Sequence, residues 1–251
     1  MNGIGFEESL QSWFEFKIPK TTIKNDFIIS SIENEDAEVE DFLSNLTPSA
    51  IPVIGITGPP GAGKSTLISS LIGNYVLQNK KVAVISVDPS SVKHKGALLG
   101  DRIRMKDWYL HPSVYIRSLA SRLHLGGLVK STHKIVKFLK STGFDIVILE
   151  TVGVGQSEVE VASVANPTLL VLVPEAGDDI QMMKSGLFEV ANIFVVNKSD
   201  RADAKKFLSH LKISLNDRIQ SGEKIGIIET VANTGQGIEE LDNCINRFLT
   251  Q

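Results

Sequence analysis

The chain has 251 residues, 42% of them hydrophobic and 22% charged, which is enough for one full-sized α/β core plus an extension. Cys244 is the only cysteine, so an intramolecular disulfide is excluded and a reducing, cytoplasmic setting is expected. A net charge of −3 argues against general nucleic-acid affinity, and no run approaches the roughly 18 apolar residues of a spanning helix; neither nucleic acid nor membrane is an expected partner.

Residues 7–46 mix helical spacing with acidic runs, and Pro48 and Pro52 then break the pattern. This predicts a helical N-terminal extension over 1–50 and a separate domain over 51–251. The opening MNGIGFEESL lacks the basic and apolar regions of a secretory leader. Charge is unevenly placed: residues 1–50 carry ten acidic and three basic side chains, whereas 93–140 carry eleven basic ones against only Asp101 and Asp107. The basic segment reads either as a solvated helical face or as a phosphate or partner contact.

Seven short runs rich in Val and Ile follow, at 51–57, 81–88, 113–118, 144–151, 168–173, 191–197 and 224–230, each about strand length. Helical candidates separate them. In 65–79, Leu67, Ile68, Leu71, Ile72 and Val76 share one face. Continuous apolar strands alternating with amphipathic helices specify an α/β fold whose mainly parallel sheet is covered by helices on both faces. Ligands then bind at the carboxyl ends of the strands.

At the end of the first run stands Gly58-Pro59-Pro60-Gly61-Ala62-Gly63-Lys64-Ser65-Thr66, which fits G-x-x-x-x-G-K-[ST] between a strand and a helix. Glycines let successive N–H groups turn inward around phosphate oxygens. Lys64 would bridge the β and γ phosphates and Ser65 would bind Mg²⁺, while the helix presents its positive end.

Asn197-Lys198-Ser199-Asp200 closes the strand IFVV and resembles the N-K-x-D element of GTPases. An aspartate can accept parallel hydrogen bonds from guanine N1–H and its exocyclic amine, a donor pair that adenine lacks. GTP and GDP are thus expected over ATP. A second base contact, through backbone N–H, is expected at Val231-Ala232-Asn233, where related GTPases carry Ser-Ala. Asp88 in VDPSS and Glu150 in ETVGVGQSE also end strands, and carboxylates there suit Mg²⁺, which takes oxygen ligands. Gly153 holds the glycine place of a D-x-x-G element, but Gln156 comes three residues later, not next. Asp88 is then our first choice for orienting the attacking water, and Gln156 the second.

Taken in order, VDPSS (87–91), GDRIRM (100–105), IRSLASRLHLGG (116–127), ETVGVGQSE (150–158) and AGDDIQMMKSGLFEVAN (176–192) resemble the methylmalonyl-CoA-mutase-associated GTPases of the MeaB/ArgK type, from about residue 25 to residue 248. The resemblance implies a GTP-hydrolysing chaperone that gates adenosylcobalamin delivery to an acyl-CoA mutase and protects that enzyme. It places Asp88, Asp101 and Glu150 near Mg²⁺. It makes Lys184 the lysine of a loop that engages nucleotide when the partner binds, stabilising charge on the transferring phosphate as an arginine finger does. Arg102, Arg104, Arg117 and Arg122 become candidates for coupling nucleotide state to partner contact. The chain ends at Gln251, where relatives continue into a helical dimerisation arm, so a monomer, or a dimer built through another surface, is expected.

Two other readings share the P-loop. A nickel-insertion GTPase needs metal-binding Cys or His, whereas His94, His111, His124, His133 and His210 are scattered and Cys244 stands alone. An ATP-driven kinase or transport subunit conflicts with Asp200.

Overall fold

The computed structural model describes residues 22–88, 105, 107–120, 125–151, 164–174 and 186–250, with backbone alone at 22–24, 88, 120 and 125–129. Two helices open it, α1 (Thr22–Glu33) and α2 (Ala37–Ser44). Strand β1 (Val53–Thr57) leads into α3 (Lys64–Leu77), followed by β2 (Val82–Asp88), β3 (Val114–Ala120), α4 (Leu125–Ser141), β4 (Ile146–Thr151) and β5 (Thr168–Leu172). Then come α5 (Gly186–Val190), β6 (Ile193–Asn197), α6 (Ala204–Ser214), α7 (Asn216–Gln220), β7 (Gly226–Thr230) and α8 (Ile238–Leu249). All seven predicted runs form strands, and every pairing is parallel.

The strand order is β3-β2-β4-β1-β5-β6-β7. β1 therefore has β4 on one flank and β5 on the other, and the segment leaving its carboxyl end lies at a switch point, where open α/β sheets bind ligands.

Successive residues along the strands go to opposite faces. Ile54, Ile56, Val84, Ile148 and Val195 pack with Leu67, Ile68, Leu71 and Ile72 of α3 and Leu241 and Ile245 of α8. Ala83, Ile85, Val147 and Leu149 pack on the other face with Ile28, Ile29 and Ile32 of α1, Val39 and Leu43 of α2, and Ile135 and Leu139 of α4. Further along the sheet, Leu170, Leu172, Phe194 and Val196 meet Leu211 and Leu215. On α3 the predicted apolar face is correct except at its end. Tyr75 is fully buried, whereas Val76 is only partly buried.

Arg117 of edge strand β3 fastens α1 to the sheet. Its Nη1 donates to Asp26 O (2.9 Å) and Asp26 Oδ1 (3.1 Å), and its Nη2 to Ser30 Oγ (2.9 Å) and Glu33 Oε2 (2.6 Å). Tyr115 OH donates to Asp26 Oδ1 at 2.7 Å. Burial works against the Arg117 charge, but the bond to Glu33 and its negative charge outweigh it and hold the guanidinium even more firmly protonated than usual. Lys134 pairs with Glu40, joining α4 to α2. No described helix is long and apolar enough to cross a membrane.

Candidate nucleotide site

The segment from Gly58 to Gly63 curls tightly because its glycines take shapes closed to other residues. Gly58 has φ +140°, and a Cβ there would lie 2.2 Å from Val171 O. Gly63 has φ +87°, and its Cβ would meet Asn197 Nδ2 at 2.5 Å. At Gly58 the backbone of β5 leaves no room for a side chain, and at Gly63 a side chain would push Asn197 of β6 aside, so loop 58–63 is seated against β5 and β6 by the absence of Cβ atoms. Gly63 is also the N-cap of α3, and the first intrahelical bond is Leu67 N–H to Gly63 O at 2.9 Å. The N–H groups of Lys64, Ser65 and Thr66 thus have no intrahelical acceptor and form an anion-binding end.

Lys64 is buried, and its Nζ donates to Gly58 O (2.7 Å) and Pro59 O (3.1 Å), which fixes the ammonium over the loop. Ser65 Oγ donates to Glu150 Oε1 at 3.1 Å. Glu150 is 1% exposed, and its other oxygen accepts from Ser86 Oγ at 3.1 Å. Ser86 and Glu150 face each other in register on β2 and β4. A serine hydroxyl and a carboxylate from different elements therefore converge beside the phosphate loop, a hard-oxygen donor set suited to Mg²⁺. Asp88 ends β2 beside Ala120. Its side chain lies outside the described atoms, and Asp101, Gly153, Gln156 and Lys184 lie outside the described residues.

Asn197 braces the loop from the neighbouring strand. Its Nδ2 donates to Ala62 O at 2.9 Å, and its Oδ1 accepts from Thr230 Oγ1 (3.1 Å) and Ala232 N–H (3.2 Å). Lys198, with φ +57°, donates from Nζ to Gly61 O at 2.9 Å. Asp200 is exposed just beyond. Of the other loop residues, Pro59 and Ala62 are buried and Pro60, Gly61 and Thr66 exposed. At the expected second base contact, Val231 N–H donates to Gln236 O at 3.0 Å and Ala232 N–H goes to Asn197, so both amides serve the loop's own frame in this conformation; Asn233 is exposed.

The model of the methylmalonyl-CoA-mutase-associated GTPase MeaB matches residues 27–251. The chain belongs to this GTPase family. It is accordingly a P-loop GTPase that binds guanine nucleotide, in line with the phosphate loop and the N-K-x-D element. A putative GTPase of Pyrococcus horikoshii is 46% identical over 220 residues, covering 85% of this chain and 69% of that protein. The mitochondrial methylmalonic aciduria type A homolog of Mus musculus is 36% identical over 205 residues, covering 79% of this chain and 49% of the mouse protein. Among solved structures, a LAO/AO transport system kinase superposes with a TM-score of 0.75 at 23% identity, covering 99% of this chain and 77% of that one. This last likeness shows the fold.

Sequence reasoning reached Glu150 and Asn197 but missed the hydroxyls that support them, Ser86 on Glu150 and Thr230 on Asn197. The signal was present: each is a fully buried hydroxyl in an otherwise apolar or strand-ending run, VAVISVD and GIIET, and buried hydroxyls require partners.

Proposed function

We propose that this family member is a GTP-hydrolysing chaperone for an adenosylcobalamin-dependent acyl-CoA mutase such as methylmalonyl-CoA mutase, assisting cofactor loading and protecting the enzyme. The observation that carries the reading is the family match over 27–251. It is supported by the 36% identity to a mammalian protein named for methylmalonic aciduria.

In this reading the first-turn N–H groups of α3 and Lys64 hold the phosphates, and Asp200 accepts from guanine N1–H and its amine. The 231–233 loop faces guanine O6 with its backbone. Ser65, with Glu150, Asp88 and Asp101, would hold Mg²⁺, which neutralises charge between the β and γ phosphates. Asp88 orients the attacking water, and Lys184 reaches the transferring phosphate when the partner is bound.

The test is capture of partners from native extract on the immobilised protein, with GDP and separately with a non-hydrolysable GTP analogue. A cobalamin-dependent mutase is expected in at least one eluate. Its absence from both, with a purified mutase also failing to bind, would overturn the proposal.

A further inference from the structure

The segment after β7 is fastened to the phosphate helix by side chains that nucleotide chemistry does not use. Ser70, Asn74 and Gln78 are spaced four residues apart along α3 and its C-cap, which puts them on one face. Each directs a donor at the C-terminal segment. Ser70 Oγ donates to Ala232 O at 2.7 Å, while Asn74 Nδ2 and Gln78 Nε2 both donate to Asp242 Oδ2 at 2.9 Å. Asp242 lies on α8 and is 5% exposed, and its second oxygen accepts from Asn246 Nδ2 at 3.2 Å. Three amides thus satisfy a buried carboxylate at the α3–α8 contact.

The Ser70 hydroxyl has one proton and two acceptors within reach. Thr66 O, one turn earlier in the helix, is 3.2 Å away, while Ala232 O is 2.7 Å away. The shorter contact is near the ideal O–H···O distance and claims the proton. Ala232 is therefore held from both sides, its carbonyl by Ser70 of the phosphate helix and its N–H by Asn197 of β6.

We propose that Ser70 is a positioning residue for guanine recognition. It ties the loop at 231–233 to the helix that carries Lys64 and Ser65, and the Asp242 knot sets the register of that join. Base discrimination depends on donors held within about 0.5 Å of their productive place. Without the Ser70 proton, Ala232 keeps its N–H bond to Asn197 and a long contact of 3.4 Å from Gly235 N–H, which lies within the same loop, so the tie to the phosphate helix is lost and the loop drifts relative to the phosphates. The inference rests on the reading of 231–233 as a base contact.

The experiment measures GDP and ADP affinity by displacement of a fluorescent GDP from wild type, Ser70→Ala and Ser70→Thr, with thermal unfolding of each. Ser70→Ala is expected to weaken GDP about tenfold and ADP less than twofold, and Ser70→Thr, which keeps the hydroxyl, to restore GDP binding. GDP affinity within twofold of wild type in Ser70→Ala would overturn the assignment. Equal losses for GDP and ADP together with a lowered melting temperature would also overturn it, making the bond structural only. A wild type that binds GDP and ADP alike would instead remove the base-contact reading on which the inference stands.

Discussion

At the scale of single residues, Lys64 is the most exposed to test. A phosphate loop without its lysine loses charge-assisted bonds of roughly 1.5–3 kcal/mol, about a tenfold to hundredfold loss of affinity. Lys64→Ala should therefore weaken GDP by that factor in calorimetry while circular dichroism stays native; a change under about threefold would contradict the phosphate role. Asp200→Asn is expected to move preference from GTP to XTP in hydrolysis assays, because the amide can donate to the xanthine carbonyl that replaces guanine's amine. These residues were legible in the sequence because they sit at fixed offsets in short motifs. Asn197 was legible only as a letter of N-K-x-D. Its use as a brace between Ala62, Thr230 and Ala232 joins groups from three separate segments, which local spacing does not encode.

At the scale of elements, the seven strands could be read from continuous apolar runs, since a sheet covered on both faces demands them. The attachment of α1 could not. Arg117 stands 91 residues from Asp26 and 84 from Glu33, so the sequence offered it only as one basic residue in a basic stretch. In the structure its guanidinium ties β3 to α1. Arg117→Met should destabilise the fold by about 2–3 kcal/mol in urea unfolding, since it strands partly buried carboxylates without their cation. It should leave GDP affinity within a factor of about two. A large loss of GDP binding at full stability would instead link Arg117 to the nucleotide site. Gly63→Ala should lower both, because alanine is strained at φ +87° by about 1–2 kcal/mol and its methyl group falls on Asn197 Nδ2, so stability in urea unfolding and GDP affinity should drop together.

At the scale of the whole molecule, if the proposed function holds, the isolated protein is expected to hydrolyse GTP slowly and to accelerate on binding a cobalamin-dependent mutase. The sequence has no glutamine directly after Gly153, and in the proposed mechanism Lys184 adds the charge stabilisation only when the partner is bound. Lys184→Ala should leave basal turnover nearly intact and remove most of the partner-dependent increase, as followed by phosphate release. A wild-type rate unchanged by every mutase tested would refute that mechanism.

The bracing by Asn197 has a consequence for anyone redesigning the protein. One amide group supports the phosphate loop through Ala62, the end of β7 through Thr230 and, through Ala232, the 231–233 loop proposed to face the base. Selectivity for a different base therefore cannot be grafted here as an interchangeable module: any replacement at 197 alters triphosphate affinity at the same time. A library aimed at a new nucleotide should vary positions 200 and 231–233 and leave 197 fixed.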